Sequence, residues 1–188
     1  MDQQPLTKPE ATRLRLLDAA ERLYVRLPMT EVTARAIAEE ADCSVGLAYR
    51  YFASKEELMG AVLDRAAEHI TQGMNPGDPP GVLAAKAWQR MKEKPVFARL
   101  MAHVLMENGD LGEIMSGFPF LRIAANQAVE ANDPDPTTAA ASLGSLILGH
   151  AFFAPILNTA VNRAPDDDRI DNRLGMVAAA IHTTNPTP

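Results

Sequence analysis

Tyr49, Arg50, Tyr51 and Phe52 stand side by side in the stretch SVGLAYRYFASKEEL, in a chain with only one Trp, three Tyr and six Phe. One hydrophobic face of a helix cannot take all four. If Ala48 and Phe52, four residues apart, form the inward stripe, then Val45, Gly46, Tyr49 and Arg50 are left to point outward. The Tyr49 and Tyr51 hydroxyls can donate to phosphates, and Arg50 can reach a phosphate or a guanine edge. Val45 and Leu47 offer apolar contact, for instance to a thymine methyl. Lys55 adds a separate clue, because it falls in the first turn of the next helix, where the dipole already presents positive charge. A phosphate docked there would use the free N–H groups and the ammonium together; a solvated surface lysine is the plainer alternative.

These side chains need short helices to aim them. Strict strand alternation is missing throughout, while helical spacing recurs. A first helix is expected at about 9–27, with Leu16, Ala20, Leu23 and Leu27 on one stripe and Pro28 as its stop. A short helix follows from the capping Thr33 to about residue 41. DCS makes a tight turn, in which Asp42 can take a left-handed conformation. Ser44 caps a second short helix to about Phe52, and Ser54 with Glu57 forms an S-x-x-E capping box that opens a long helix at about 54–72. Two short helices joined by a tight turn, behind a longer helix, describe a helix-turn-helix. Cys43 in the turn reads as a small buried hydrophobe.

The Gly/Pro-rich connector GMNPGDPPG at 73–81 marks a boundary. Beyond it, helices are expected at about 81–94, 95–108, 110–132 with a break near 117–119, 135–162 and 167–183. Pro95 suits a first helical turn, and the 166–168 acids suit the N-terminus of the last helix. The fold class is therefore all-α, with about nine helices.

Composition narrows the function. Formal net charge is −6, and residues 1–72 carry 9 Lys/Arg against 12 Asp/Glu, as the remainder does, so each part is −3. Any anion-binding site must be local. The single cysteine forms no internal disulfide, which fits a reducing, cytoplasmic setting. The N-terminus lacks a basic start followed by an apolar run, so no signal peptide is expected. The most membrane-like segment, 142–161, contains His150, Pro155 and Asn158 and lacks basic anchors, so it reads as a buried helix.

The stretch VTARAIAEEADCSVGLAYRYFASKEELMGAVL resembles the DNA-binding signature of the TetR/AcrR family of bacterial transcriptional regulators, over about 14–65. The resemblance implies a homodimeric regulator, a repressor, that binds a palindromic double-stranded DNA operator and is released by a small-molecule effector. It implies DNA contacts at Thr33 and Arg35, then at Ser44, Val45, Gly46, Tyr49, Arg50 and Tyr51, with Lys55 on a phosphate. Asp42, Cys43 and Ala48 stand where the family commonly has glycine, valine and a larger aliphatic, and Val45 and Leu47 where polar residues are frequent. The operator bases are therefore not specified. The domains implied are 1–55 for DNA binding and 56–188 for ligand binding and dimerisation.

A pocket in the second domain would be lined from Trp88, Met91, Phe97, Met101, Met106, Met115, Phe118, Phe120, Phe152 and Phe153, since Met and aromatic side chains suit an adaptable apolar site; ordinary core packing is the alternative for each. His103 and Glu107 could share a helix face, but two residues make no metal site, and neither metal nor cofactor is expected. His150 is expected in the core or at a dimer seam. The helix at about 135–162 is apolar on more than one face, through Leu143, Ile147, Ala151 and Pro155 and also Leu146, Phe153 and Leu157, and must be covered all round. The last helix adds Ile170, Leu174, Val177 and Ile181. These two helices are the expected dimer seam. No nucleophile–base arrangement or phosphate loop points to an enzyme; the alternative reading is a helical small-molecule-binding protein or enzyme without DNA binding.

Overall fold

The computed structural model describes residues 7–107, 109–161 and 169–180, with the side chains at 155, 169–172 and 174 outside that description. Among the described residues there are ten α-helices and no strand: α1 (Lys8–Arg26), α2 (Ala34–Glu40), α3 (Val45–Tyr51), α4 (Lys55–Thr71), α5 (Pro80–Glu93), α6 (Pro95–Met106), α7 (Leu111–Ile114), α8 (Pro119–Glu130), α9 (Pro136–Ala160) and α10 (Arg169–Ala180). The tenth helix arises because the expected 110–132 element divides at its break into α7 and α8.

The helix ends follow from local chemistry. Thr7 caps α1 in a reciprocal box with Glu10, satisfying two N–H groups that the helix itself cannot. Pro28 ends it, and the residue before a proline is forced into an extended conformation; Leu27 has φ −110° and ψ 155°. Pro80, Pro95, Pro119 and Pro136 each open a helix, where a missing N–H costs nothing. Asp42 (φ 51°) and Asn132 (φ 56°) are left-handed. Each closes a helix in the same way: Cys43 N–H reaches the Ala38 carbonyl at 2.9 Å, and Asp133 N–H the Ala128 carbonyl at 2.9 Å. That six-to-one bond satisfies carbonyls the helix end leaves open. The box at α4 is offset by one residue from expectation. Glu57 N–H donates to Ser54 Oγ at 3.0 Å, but the Glu57 carboxylate accepts from Ala53 N–H at 2.6 Å, not from the cap residue's own N–H.

The chain forms two compact units, Met1–Arg65 with Arg99–Ser116, and Ala66–Ala98 with Gly117–Pro188. In the first, α1 buries Leu16, Leu17, Ala19, Ala20, Leu23 and Tyr24, while Leu27, expected on that stripe, is the half-buried cap residue. Leu58, Val62 and Leu63 of α4 and Leu100, Met101 and Val104 of α6 are also buried. Arg65 of α4 spans Asp18 at 2.6 Å and Glu21 at 2.5 Å on α1. Asp64 accepts the Ser116 N–H at 2.9 Å. Gly60 lies so close to the Ile114 carbonyl that any Cβ there would collide with it.

In the second unit, α5 approaches α10 at glycines, a Cβ at Gly81 falling 2.6 Å from the Gly175 carbonyl. Leu121 of α8 fills the space beside Gly144 of α9. Trp88 of α5 meets the His150 ring of α9 edge-on, with centroids 4.3 Å apart. Leu143 and Ile147 are buried and Leu146 and Ala151 half-buried, but Phe153, Ile156, Leu157 and Val161 are exposed. The side chains of Pro155, Ile170 and Leu174, and all of Ile181, lie outside the described residues.

Phe52 is 4% exposed, and the Arg13 guanidinium sits 5.2 Å above its ring. Phe52→Ala should therefore destabilise the first unit by about 3–5 kcal/mol, read as a lowered chemical-denaturation midpoint with an unchanged slope.

Candidate nucleic-acid interface

The site is built on α2, the Asp42 turn and α3. Ile37 and Ala38 of α2 are fully buried, and Thr33 caps the helix, accepting the Ala36 N–H at 3.1 Å. Ser44 caps α3, accepting the Leu47 N–H at 3.2 Å. A hydroxyl that accepts through oxygen keeps its own proton for a further bond, so both caps can donate outward. Ala48 and Phe52 face inward, as the spacing predicts, and Ser44, Gly46, Tyr49 and Arg50 are exposed, Tyr49 to 54%. Val45, Leu47 and Tyr51 are half-buried, sharing their surface with the protein. A side chain at Gly46 would meet nothing within 4 Å, so the backbone there is open to an approaching surface.

The charges are sorted by their partners. Glu40 accepts from Arg22 at 2.7 Å and from Arg26 at 3.0 Å, tying α2 to α1. The hydrogen bond from Arg22, with desolvation opposing and Arg26 adding to it, holds the Glu40 carboxyl below the usual carboxylate range. Arg35 pairs with Glu39 on its own helix at 3.0 Å, both side chains largely in solvent. Such a pair contributes little and yields readily to a phosphate. Lys55 is half-buried, and its ammonium donates to the Met29 carbonyl at 2.9 Å. Two of its three donors remain for other partners.

Sequence reasoning did not find the Arg22–Glu40–Arg26 clamp or the Lys55–Met29 bond. The four-residue spacing of Arg22 and Arg26 puts both on one face of α1, but nothing local names Glu40 as their acceptor.

The candidate ligand residues divide between the units. Met101, Met106 and Met115 belong to the first, with Met101 and Met115 buried and Met106 83% exposed. Trp88, Met91, Phe97, Phe118, Phe120, Phe152 and Phe153 belong to the second. There Met91 and Phe97 are buried, Trp88, Phe120 and Phe152 half-buried, and Phe118 and Phe153 exposed. The second unit also holds buried polar atoms without a hydrogen-bond partner among the described residues: Trp88 Nε1, Gln127 Oε1 and Asn158 Oδ1. Gln127 and Asn158 were missed as candidates. Asn158 carried a signal, an amide within an otherwise apolar helical run, whereas Gln127, beside Asn126 and between Arg122 and Glu130, carried none.

Residues 16–62 match the sequence pattern of the bacterial regulatory proteins of the tetR family. The chain is 26% identical over 156 residues to the HTH-type transcriptional repressor Rv3405c of Mycobacterium tuberculosis, covering 82% of this chain and 79% of that protein. Its fold is similar to that of a transcriptional regulator, SCO4942, from Streptomyces coelicolor, with a TM-score of 0.67, 24% identity and coverage of 94% and 99% of the two chains. It is also similar to the fold of the multidrug binding protein EbrR, solved with imidazole, with a TM-score of 0.63, 19% identity and 98% coverage of each chain.

The Glu40 clamp has an acid signature. A carboxyl whose pKa is depressed on folding adds stability above its unfolded value and loses it as pH falls through the folded one. Glu40→Gln should therefore lower the melting temperature at neutral pH. The gap should close as pH drops through and below the ordinary carboxylate range, as thermal melts across a pH series would record.

Proposed function

Because this chain is a DNA-binding transcriptional regulator of the TetR family, we propose that it binds a palindromic operator as a homodimer and acts as a cytoplasmic repressor released by a small molecule. Residues 1–55 form the reading domain in this proposal, and 56–188 the ligand and dimerisation domain. The observation that carries it is the division of α3. Ala48 and Phe52 are spent on the core, and Tyr49 and Arg50 stand in solvent beside capping hydroxyls. Thr33, Arg35, Ser44 and Tyr51 hold phosphates, and Val45, Gly46, Tyr49 and Arg50 enter the major groove. Lys55 joins the N-terminus of α4 on one more phosphate.

A second copy of the chain covers α9 and α10. Phe153, Ile156, Leu157 and Val161 recur at helical spacing and are 52–67% exposed, with Met176 and Val177 of α10 also bare. Only 33% of the apolar Pro136–Ala154 stretch of α9, long enough by length and composition to cross a membrane, is buried within one chain. A self-complementary two-fold interface supplies the missing cover, and the polar His150 and Asn158 fit a protein seam better than lipid. The effector lies in the second unit in this proposal, where Trp88 Nε1 is a buried donor and Gln127 Oε1 a buried acceptor, neither with a partner among the described residues. Paired reading heads need ~34–36 Å between successive major grooves. An effector that prefers a conformer with another spacing weakens DNA binding by the same factor as DNA weakens its own.

Fluorescence anisotropy on the DNA upstream of its own gene, titrated with salt, tests the proposal; absence of any salt-sensitive binding would overturn it. Lys55→Ala should weaken binding to every duplex and flatten the salt slope by about 0.9, one phosphate contact. Ile156→Asp should convert a sedimenting dimer to monomer while the helical circular dichroism is kept, and operator affinity should fall with it.

A further inference from the structure

We infer that Arg99, on α6, is a positioning residue for the DNA-contacting ammonium of Lys55 and acts through the Leu27–Met29 turn; this rests on the reading of Lys55 as a phosphate contact. Three observations within the first unit place the parts in series. The Arg99 guanidinium donates through Nη1 to the Val25 carbonyl at 2.9 Å and through Nη2 to the Leu27 carbonyl at 2.8 Å. These carbonyls lie at the C-terminal end of α1, where helix oxygens lack partners and a cation is favoured. The Lys55 ammonium donates to the Met29 carbonyl at 2.9 Å.

The link between the two grips is stiff. Proline fixes its own φ and restricts the residue before it, and Pro28 stands between Leu27 and Met29. A turn bond from the Glu31 N–H to the Pro28 carbonyl, 3.0 Å, closes the far side. The Leu27 and Met29 carbonyls are thus two points on one braced segment, one held by Arg99 and the other holding Lys55. Arg99 is itself anchored, since Leu100 is fully buried and Val104 is 2% exposed on the same helix.

A lysine side chain loses much rotamer freedom when it is fixed. Met29 has already fixed this one, with two donors left for a phosphate, so ordering on DNA costs less. When Arg99 lets the turn drift, Lys55 loses that preorganisation although nothing beside it has changed.

A double-mutant cycle tests this, using full-length protein and two labelled duplexes, one from upstream of its own gene and one of unrelated sequence at low salt. Arg99→Ala should weaken binding to both by about 5- to 10-fold, the cost of ordering about one long side chain on binding. It should also move the salt slope toward that of Lys55→Ala. In the Lys55→Ala background the same change should cost less than about 2-fold, because the route it acts through is gone. Arg99→Lys, which can hold one carbonyl at a time, should fall between. Pro28→Gly keeps both grips and loosens the brace, and should reproduce the Arg99→Ala pattern in a protein whose melting curve certifies folding. Fully additive losses would overturn the inference while leaving Lys55 on its phosphate, and so would an unchanged affinity in Arg99→Ala. An unchanged salt slope in Lys55→Ala alone would remove the phosphate reading and this inference together.

Discussion

The burial of Ala48 and Phe52 is the constraint from which the exposed face of α3 follows. Seven residues of α3 give a helix of two turns, too short to hold itself together in water. It exists because its inner edge is taken into the core of the first unit and its N-terminus is closed by Ser44. Once those two side chains are committed, helical geometry leaves no choice about Tyr49 and Arg50. Their exposure is therefore a consequence of packing, and the polar character of the surface costs the core nothing. The Schellman-type turn at Asp42 sets the angle at which this edge is delivered, and the Arg22–Glu40–Arg26 clamp fixes α2 against α1 so that the angle is kept.

Much of this was written in local sequence. Thr33, Ser44 and Ser54 announce helix starts because a side-chain oxygen must meet an N–H only three residues on. Asp42 announces a left-handed turn because few side chains tolerate that backbone. Pro28, Pro95 and Pro119 punctuate for equally local reasons. Contacts made across long stretches of chain were not legible. Nothing near Lys55 identifies Met29 as its acceptor, and nothing near Arg99 points more than seventy residues back to Val25. The offset box at Glu57 shows the limit even at short range: the motif names the acid but not which of two neighbouring N–H groups it will take.

The second unit was harder to read because an apolar side chain serves a core, a pocket or a partner with the same chemistry. Met91 and Phe97 went inside, Phe153 stayed in solvent, and Met101 and Met115 belong to the other unit altogether. Composition could not separate those fates, since each depends on which neighbouring helix arrives. The polar atoms carry more information. A buried polar atom without a partner is costly, and among the described residues such atoms occur in both units, Tyr24 Oη and Arg65 Nε in the first and Trp88 Nε1, Gln127 Oε1 and Asn158 Oδ1 in the second, each a place where a water molecule or a ligand atom would lower that cost.

The bare backbone at Gly60 gives α4 an unusual joint. With no Cβ between them, the Ile114 carbonyl rests directly against the α4 main chain. A side chain at such a contact would act as a spring, turning about its bonds to absorb a small displacement. A backbone seat has no such give. Any displacement of the 111–116 segment would therefore bear on the α4 main chain directly, with no side chain at residue 60 to absorb it. In mechanical terms the joint is a keyed shaft rather than a cushion, and its backlash is set by van der Waals radii alone.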